Sequence, residues 1–191
     1  MSGHERALRL VQAEPGVLVH SAADRRLAVE HWLLATVDER GRDRVRMEWN
    51  TYGLAVLPLG ARLAAVRIPE RVVHAVAHTD HLGMVAEFLA AALDDGPVIH
   101  DQQRCRYYAL APASMPQQWR EAVPDWATLG VEFLGRDWQL GIPPARLELA
   151  DAGTWPCYWA VPMSSPGMLC DPMAVGRMMA VAMRRLARDS E

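Results

Sequence analysis

Three histidines, His74, His78 and His81, stand at i, i+4 and i+7, with Asp80 among them. On one continuous helix that spacing stacks the imidazoles on a single face, and a His pair at i, i+4 is a chelating geometry for zinc. A turn is expected at Thr79-Asp80, no fourth ligand is evident, and no HExxH is present. The expected use is therefore a solvated or partly packed helix face, with no metal and no cofactor. His100-Asp101 has the composition of a base with its orienting carboxylate, but neighbours along a strand leave opposite faces. A turn entry is the expected reading. Cys105, Cys157 and Cys170 form no CxxC, so small, free thiols without zinc are expected.

A second constellation is Arg104, Arg106 and Tyr108. If Cys105–Leu110 is a strand, alternation puts these three on one face and Cys105 and Tyr107 on the other. Two guanidiniums and a ring can hold a phosphate and stack a base. The competing use of that face is a seat for the last helix, with the Arg stems packed beneath it. Trp119, Trp126, Trp138, Trp155, Tyr158 and Trp159 crowd the C-terminal half, where core and rim packing is their expected use. Neither GxGxxG, GxxxxGK[ST] nor GxSxG occurs.

The elements that must position these groups follow from pattern. Ser21, with Asp24 three residues on, predicts a helix N-cap and a helix to about Leu34. Val45–Trp49 is a candidate strand, as are Leu54–Leu57 and Leu63–Ile68. Pro69 opens a helix over about Glu70–His78, and another covers Asp80–Leu93. Val98–His100 and Cys105–Leu110 read as one hairpin, Thr128–Leu134 and Trp138–Ile142 as a second, and Tyr158–Val161 as a further strand. In Asp171–Arg188, Val175, Met178, Met179, Ala182, Met183 and Leu186 form an apolar stripe. This predicts an α+β fold: a mixed, mostly antiparallel sheet with hairpins, flanked by helices and closed by an amphipathic C-terminal helix.

With 191 residues, 51% hydrophobic and 23% charged, the chain fits one globular domain over residues 1–191 and is not disordered throughout. A net charge of −3 supplies no long-range attraction for phosphate. All 20 basic residues are Arg, as a GC-rich genome would give. No signal-peptide core and no continuous apolar run of membrane-spanning length is present. A cytoplasmic protein with reduced thiols and no membrane partner is expected.

The segment Val56-Leu57-Pro58-Leu59-Gly60-Ala61-Arg62-Leu63-Ala64-Ala65-Val66-Arg67-Ile68-Pro69 resembles the actinobacterial primase–polymerase-like proteins, the bifunctional DNA primase/polymerase N-terminal family. Gly96–Ile99, Tyr107–Pro112, Gln139–Pro144 and Trp159–Pro162 follow in the family's order, so the resemblance spans about residues 50–165. It implies a fold of this kind. It also implies metal-holding carboxylates on the first strand, since phosphoryl transfer needs cations on the triphosphate. Those places hold Ala64 and Arg67, and Gln102-Gln103-Arg104-Cys105 replaces the family's Gly-Gly-x-His. The resemblance thus implies a non-catalytic binding or regulatory module, its partner a protein, a nucleotide or nucleic acid. Two other readings remain: an enzyme of unrelated chemistry using the His-rich segment, and an interaction protein using the Met-rich last helix.

Overall fold

The computed structural model describes residues 10–14 and 17–188. Strands β1 (Leu10–Glu14) and β2 (Val17–His20) pair antiparallel. Helix α1 (Ala22–Leu34) starts as predicted: Ser21 Oγ accepts the Asp24 amide at 3.1 Å.

Helix α2 (Glu39–Tyr52) overturns the strand predicted at Val45–Trp49. The alternation Arg44, Val45, Arg46, Met47, Glu48, Trp49 imitates a strand, yet only Val45 and Trp49, one helical turn apart, are buried. The ends decide the matter. Asp38 accepts the Gly41 amide at 2.8 Å, and Gly53 closes the helix in the left-handed region at φ 65°.

Strand β3 (Ala55–Pro58) leads through the Gly60 turn to β4 (Leu63–Pro69), and α3 (Glu70–Ala77) and α4 (Leu82–Ala92) follow. The first predicted hairpin is present: β5 (Val98–Asp101) pairs antiparallel with β6 (Arg106–Pro112). Two short helices absent from the sequence reading, α5 (Met115–Gln118) and α6 (Val123–Thr128), come next. The second predicted hairpin does not form. Strand β7 (Glu132–Leu134) pairs with β4, while β8 (Gln139–Ile142) pairs with β3. Because β3 and β4 lie in different sheets, the Gly135–Asp137 turn carries the chain from one to the other. Strand β9 (Cys157–Val161) and α7 (Pro172–Arg188) complete the fold.

The larger sheet runs β7-β4-β6-β5-β9 with every pairing antiparallel. An isolated parallel bridge joins Glu148 to Trp159. The α+β class is as expected. Alternation gives the sheet two faces. Val66, Ile68, Tyr107, Ala109, Val98 and Tyr158 pack against α3, α4 and α7. Leu63, Ala65, Tyr108, Leu110, Ile99 and Trp159 pack against α1, α2 and the β3–β8 pair. The Met stripe of α7 is spent on the first face, with Met178 and Met179 buried there. The sheet is where this stripe packs, while Met173 and Val181 of the same helix stay exposed. No helix among the described residues is long and apolar enough to cross a membrane.

At Gly53 an added Cβ would lie 2.4 Å from the Trp155 ring. Substitution there adds a ring clash to the ~1–2 kcal/mol cost of a left-handed side chain. Gly53→Ala is expected to lower unfolding stability by at least about 1–2 kcal/mol in a urea titration.

Candidate functional site

Two groups of polar side chains converge at one end of the larger sheet, one on each face. Asp101, on β5, stands beside Arg106 of β6 and Cys157 of β9, and Arg67, on β4, beside Tyr108 of β6. His100, one residue earlier, turns to the other face between Tyr107 and Tyr158. His100 and Asp101 leave opposite faces as strand alternation predicts, but His100 sits inside β5, not at a turn entry.

His100 is fully buried, stacked on Tyr107 at 4.0 Å between ring centroids. Its Nδ1 lies 2.9 Å from the Tyr158 hydroxyl and its Nε2 lies 2.9 Å from Glu70 Oε1. A carboxylate only accepts, so Nε2 carries the proton and the Tyr158 hydroxyl donates to Nδ1. Burial lowers the His100 pKa, with the Glu70 hydrogen bond partly opposing it. Burial also pushes the Tyr158 hydroxyl up to about 12. The ring is thus a neutral connector between sheet and α3. Glu70 was invisible as its partner because the two residues meet only when β4 turns at Pro69 into α3.

The predicted histidine face does not form. Helix α3 ends at Ala77, and His78 takes a left-handed conformation at φ 58°. His81 begins α4, its Nδ1 accepting the Met84 amide at 3.4 Å. His74 instead joins the His100 cluster, 3.9 Å from Glu70 Oε1. Its Nε2 is buried without a hydrogen-bond partner. No group of three ligating side chains suited to a metal occurs among the described residues.

On the opposite face lies a cleft of about 390 Å³. Arg67, Arg104, Asp101, Tyr108 and Cys157 form its floor, and Trp138, Gln139, Gly141, Leu54 and Val56 line the β3–β8 side. Of the predicted trio, Arg104 and Tyr108 are brought together here. Arg106 follows the expected alternation but does not line the cleft; its Nη1 donates to the Cys105 carbonyl. Arg67 takes its place. Arg104 belongs to the turn and not the strand, with its amide and Nη1 both on the Asp101 carboxylate. Helix α7 covers the Tyr107 face, so the competing reading of this face as its seat is corrected.

Each guanidinium commits one side-chain nitrogen to a carboxylate: Arg67 Nη2 to Glu132 and Arg104 Nη1 to Asp101 at 3.0 Å. Further N–H donors remain on both. Arg67 Nε is buried without a partner. Among charged cleft-lining residues, two arginines face one aspartate, and Asp101 is only 10% exposed against 69% for Arg104. Trp138 is 48% exposed, whereas Trp126 and Trp159 are core residues. Burial pushes the Cys157 thiol up to about 12, so it is neutral in the cleft wall. Cys157 and Cys170 are buried free thiols, and Cys105 is an exposed one.

A larger cavity, about 630 Å³, lies between α1 and α4 over Trp159 and Met163. Its wall is mostly apolar and Arg26 there is held by Glu148 at 2.7 Å. Arg25 also lines it, but with Glu87, Asp95 and Glu148 the acidic residues outnumber the basic ones, the reverse of the smaller cleft.

Positions 64 and 67 of β4 leave opposite faces: Ala64 is buried on the side of Val66 and Ile68, while Arg67 enters the cleft. In this sheet those two positions do not meet around one ion. Comparison with family models, with curated proteins and with solved structures gives no match to this chain.

The His100 cluster predicts a pH dependence. A base with a lowered folded pKa binds fewer protons folded than unfolded, so stability is full above the ordinary value near 6.5 and falls as the pH drops below it. Unfolding midpoints measured between pH 8 and pH 5 are expected to fall at the acid end, and His100→Phe to flatten that slope. In neutral buffer the same variant strands Glu70 and the Tyr158 hydroxyl, at a cost of about 1–3 kcal/mol.

Proposed function

We propose that this chain is a non-catalytic binding or regulatory module whose ligand carries an anionic group, held in the cleft by Arg67 and Arg104. The observation that carries this reading is the convergence, from β4 and from the β5–β6 turn, of two guanidiniums with uncommitted N–H donors. Guanidinium forks suit carboxylate and phosphate oxygens. Tyr108 contributes a hydroxyl to the floor, and Trp138 offers an exposed ring on which an aromatic or apolar portion of the ligand can lie.

The absence of chemistry is part of the proposal. The resemblance to primase–polymerase-like proteins supports a shared architecture without their activity, because Asp101 is the one carboxylate among the cleft-lining residues and Arg104 already occupies it. The His100 cluster does not favour an enzyme reading, since its imidazole is enclosed by Tyr107, Tyr158 and Glu70.

Calorimetric titration of ADP, a single-stranded oligonucleotide and an acidic peptide against the parent and an Arg67→Ala/Arg104→Ala variant tests the reading. At least one anionic ligand should bind the parent and weaken at least about tenfold in the variant, as lost charge-assisted hydrogen bonds would give. Equal affinity in both proteins would overturn the cleft assignment. Template-dependent nucleotide incorporation with Mg²⁺ or Mn²⁺ is expected to be nil; incorporation abolished by Asp101→Asn would overturn the non-catalytic part.

A further inference from the structure

The β3–β8 pair has two edges, and they are treated differently. The Leu59 amide donates to the Trp138 carbonyl at 2.9 Å, which makes Leu59 and Trp138 a hydrogen-bonded pair. Bonded and non-bonded pairs alternate along an antiparallel ladder. Leu57 with Leu140 and Ala55 with Ile142 are then bonded, while Pro58 with Gln139 and Val56 with Gly141 are not. Proline, having no N–H, occupies a position where the ladder asks for none. The backbone polar groups of Val56 therefore turn outward on the β3 side, and those of Gln139 and Gly141 turn outward on the β8 side.

Helix α2 closes the first edge. The Val56 amide donates to Glu48 Oε2 at 3.3 Å and the Val56 carbonyl accepts from Arg44 Nη2 at 3.4 Å. Arg44 and Glu48 are themselves paired at 2.6 Å, so one ion pair meets both outward groups. At the second edge, the outward groups of Gln139 and Gly141 receive no such cover among the described residues, and both residues line the cleft beside Arg67 and Arg104. An open strand edge is a template for another extended chain.

Resting on the cleft reading above, we infer that the ligand is an extended acidic segment of a partner protein, which adds as a strand along β8. Its main chain exchanges hydrogen bonds with Gln139 and Gly141. Its acidic side chains reach Arg67 and Arg104, the charge complement that selects this occupant over an uncharged strand. Its side chains alternate between the Trp138 face and the Val56 face of the pair, and both of those residues are exposed. A small anion would use the arginines alone, and Asp101 and Glu132 already temper those; an added strand gains backbone bonds as well.

The test uses a synthetic peptide of alternating Glu and Thr, the same peptide N-methylated at alternate backbone positions, and a Gln-for-Glu version. They are titrated against the parent chain and against Gln139→Pro. That substitution deletes one outward N–H and leaves the ladder to β3 intact. Binding of the Glu-Thr peptide to the parent is expected, weakened at least about tenfold by N-methylation, by Gln139→Pro and by Gln-for-Glu replacement, as lost backbone bonds and charge-assisted bonds would give. Added peptide should also slow amide hydrogen exchange at Gln139 and Gly141.

Equal binding of the N-methylated peptide would overturn strand addition, whatever the folding of the variant. No peptide binding, with ADP still captured in an Arg67- and Arg104-dependent way, would overturn this inference and leave the anion cleft standing; loss of both would remove the two together. A concentration-dependent dimer that Gln139→Pro abolishes, with no peptide bound, would also overturn it and assign the edge to a second copy of the chain.

Discussion

Strands β4 and β6 pair residue for residue from Leu63 opposite Pro112 to Pro69 opposite Arg106, and this register determines which side chains can meet. Because side chains alternate across a strand, each residue pair across this ladder commits to one face together. Arg67 shares a face with Tyr108, and Ile68 shares the other with Tyr107. A slip of one residue would exchange every such assignment, burying Arg67 against α3 and α7. The apolar run of β4, six buried positions interrupted at Arg67, fixes the register against that slip.

The two faces solve the problem of polar residues near a core in opposite ways. On the helical face His100 bonds to Tyr158 and to Glu70, a network that ties α3 to the sheet, with His74 buried beside it and its Nε2 unpaired. Such a network stabilises only while each member keeps its partner. On the other face Arg67, Arg104 and Asp101 are partly paired and partly exposed, so donors remain for something outside the chain. A buried imidazole and an exposed guanidinium thus stand one sheet thickness apart: the first is enclosed between α3 and the sheet, and the second lies at the cleft surface.

The edges of the smaller sheet show the same contrast between closure and openness. Long helix-borne side chains can cap a strand edge without extending the sheet, and α2 does this at Val56 with Arg44 and Glu48. That helix is itself anchored to the sheet by Trp49, whose Nε1 donates to the Ile142 carbonyl at 2.9 Å. Misreading Val45–Trp49 as a strand therefore hides more than one element. It removes the cap from β3 and with it the asymmetry between the two edges of the pair.

Local signals were sufficient at several places where the chain meets itself within a few residues, though not at α5, at α6 or at the caps of α2. The cap at Ser21, the break between α3 and α4, the β5–β6 hairpin and the stripe of α7 depend on spacing and turn chemistry, and all could be read from sequence. The separation of His100 from Asp101 followed in the same way from strand alternation. Contacts between distant residues were not legible, because side-chain type does not specify a partner many residues away. Glu70 meets His100, Arg67 replaces Arg106 beside Arg104, and β7 and β8 leave each other for β4 and β3. Nothing in Val45–Trp49 itself distinguished helix from strand, since its alternation suits both; the caps at Asp38 and Gly53 and the burial of Trp49 against β8 decided it. The sequence determined the class of fold and the two-faced character of its strands. The tertiary structure decided which polar groups are sealed and which are left at the surface, because that depends on sheet order and on what each face and edge packs against.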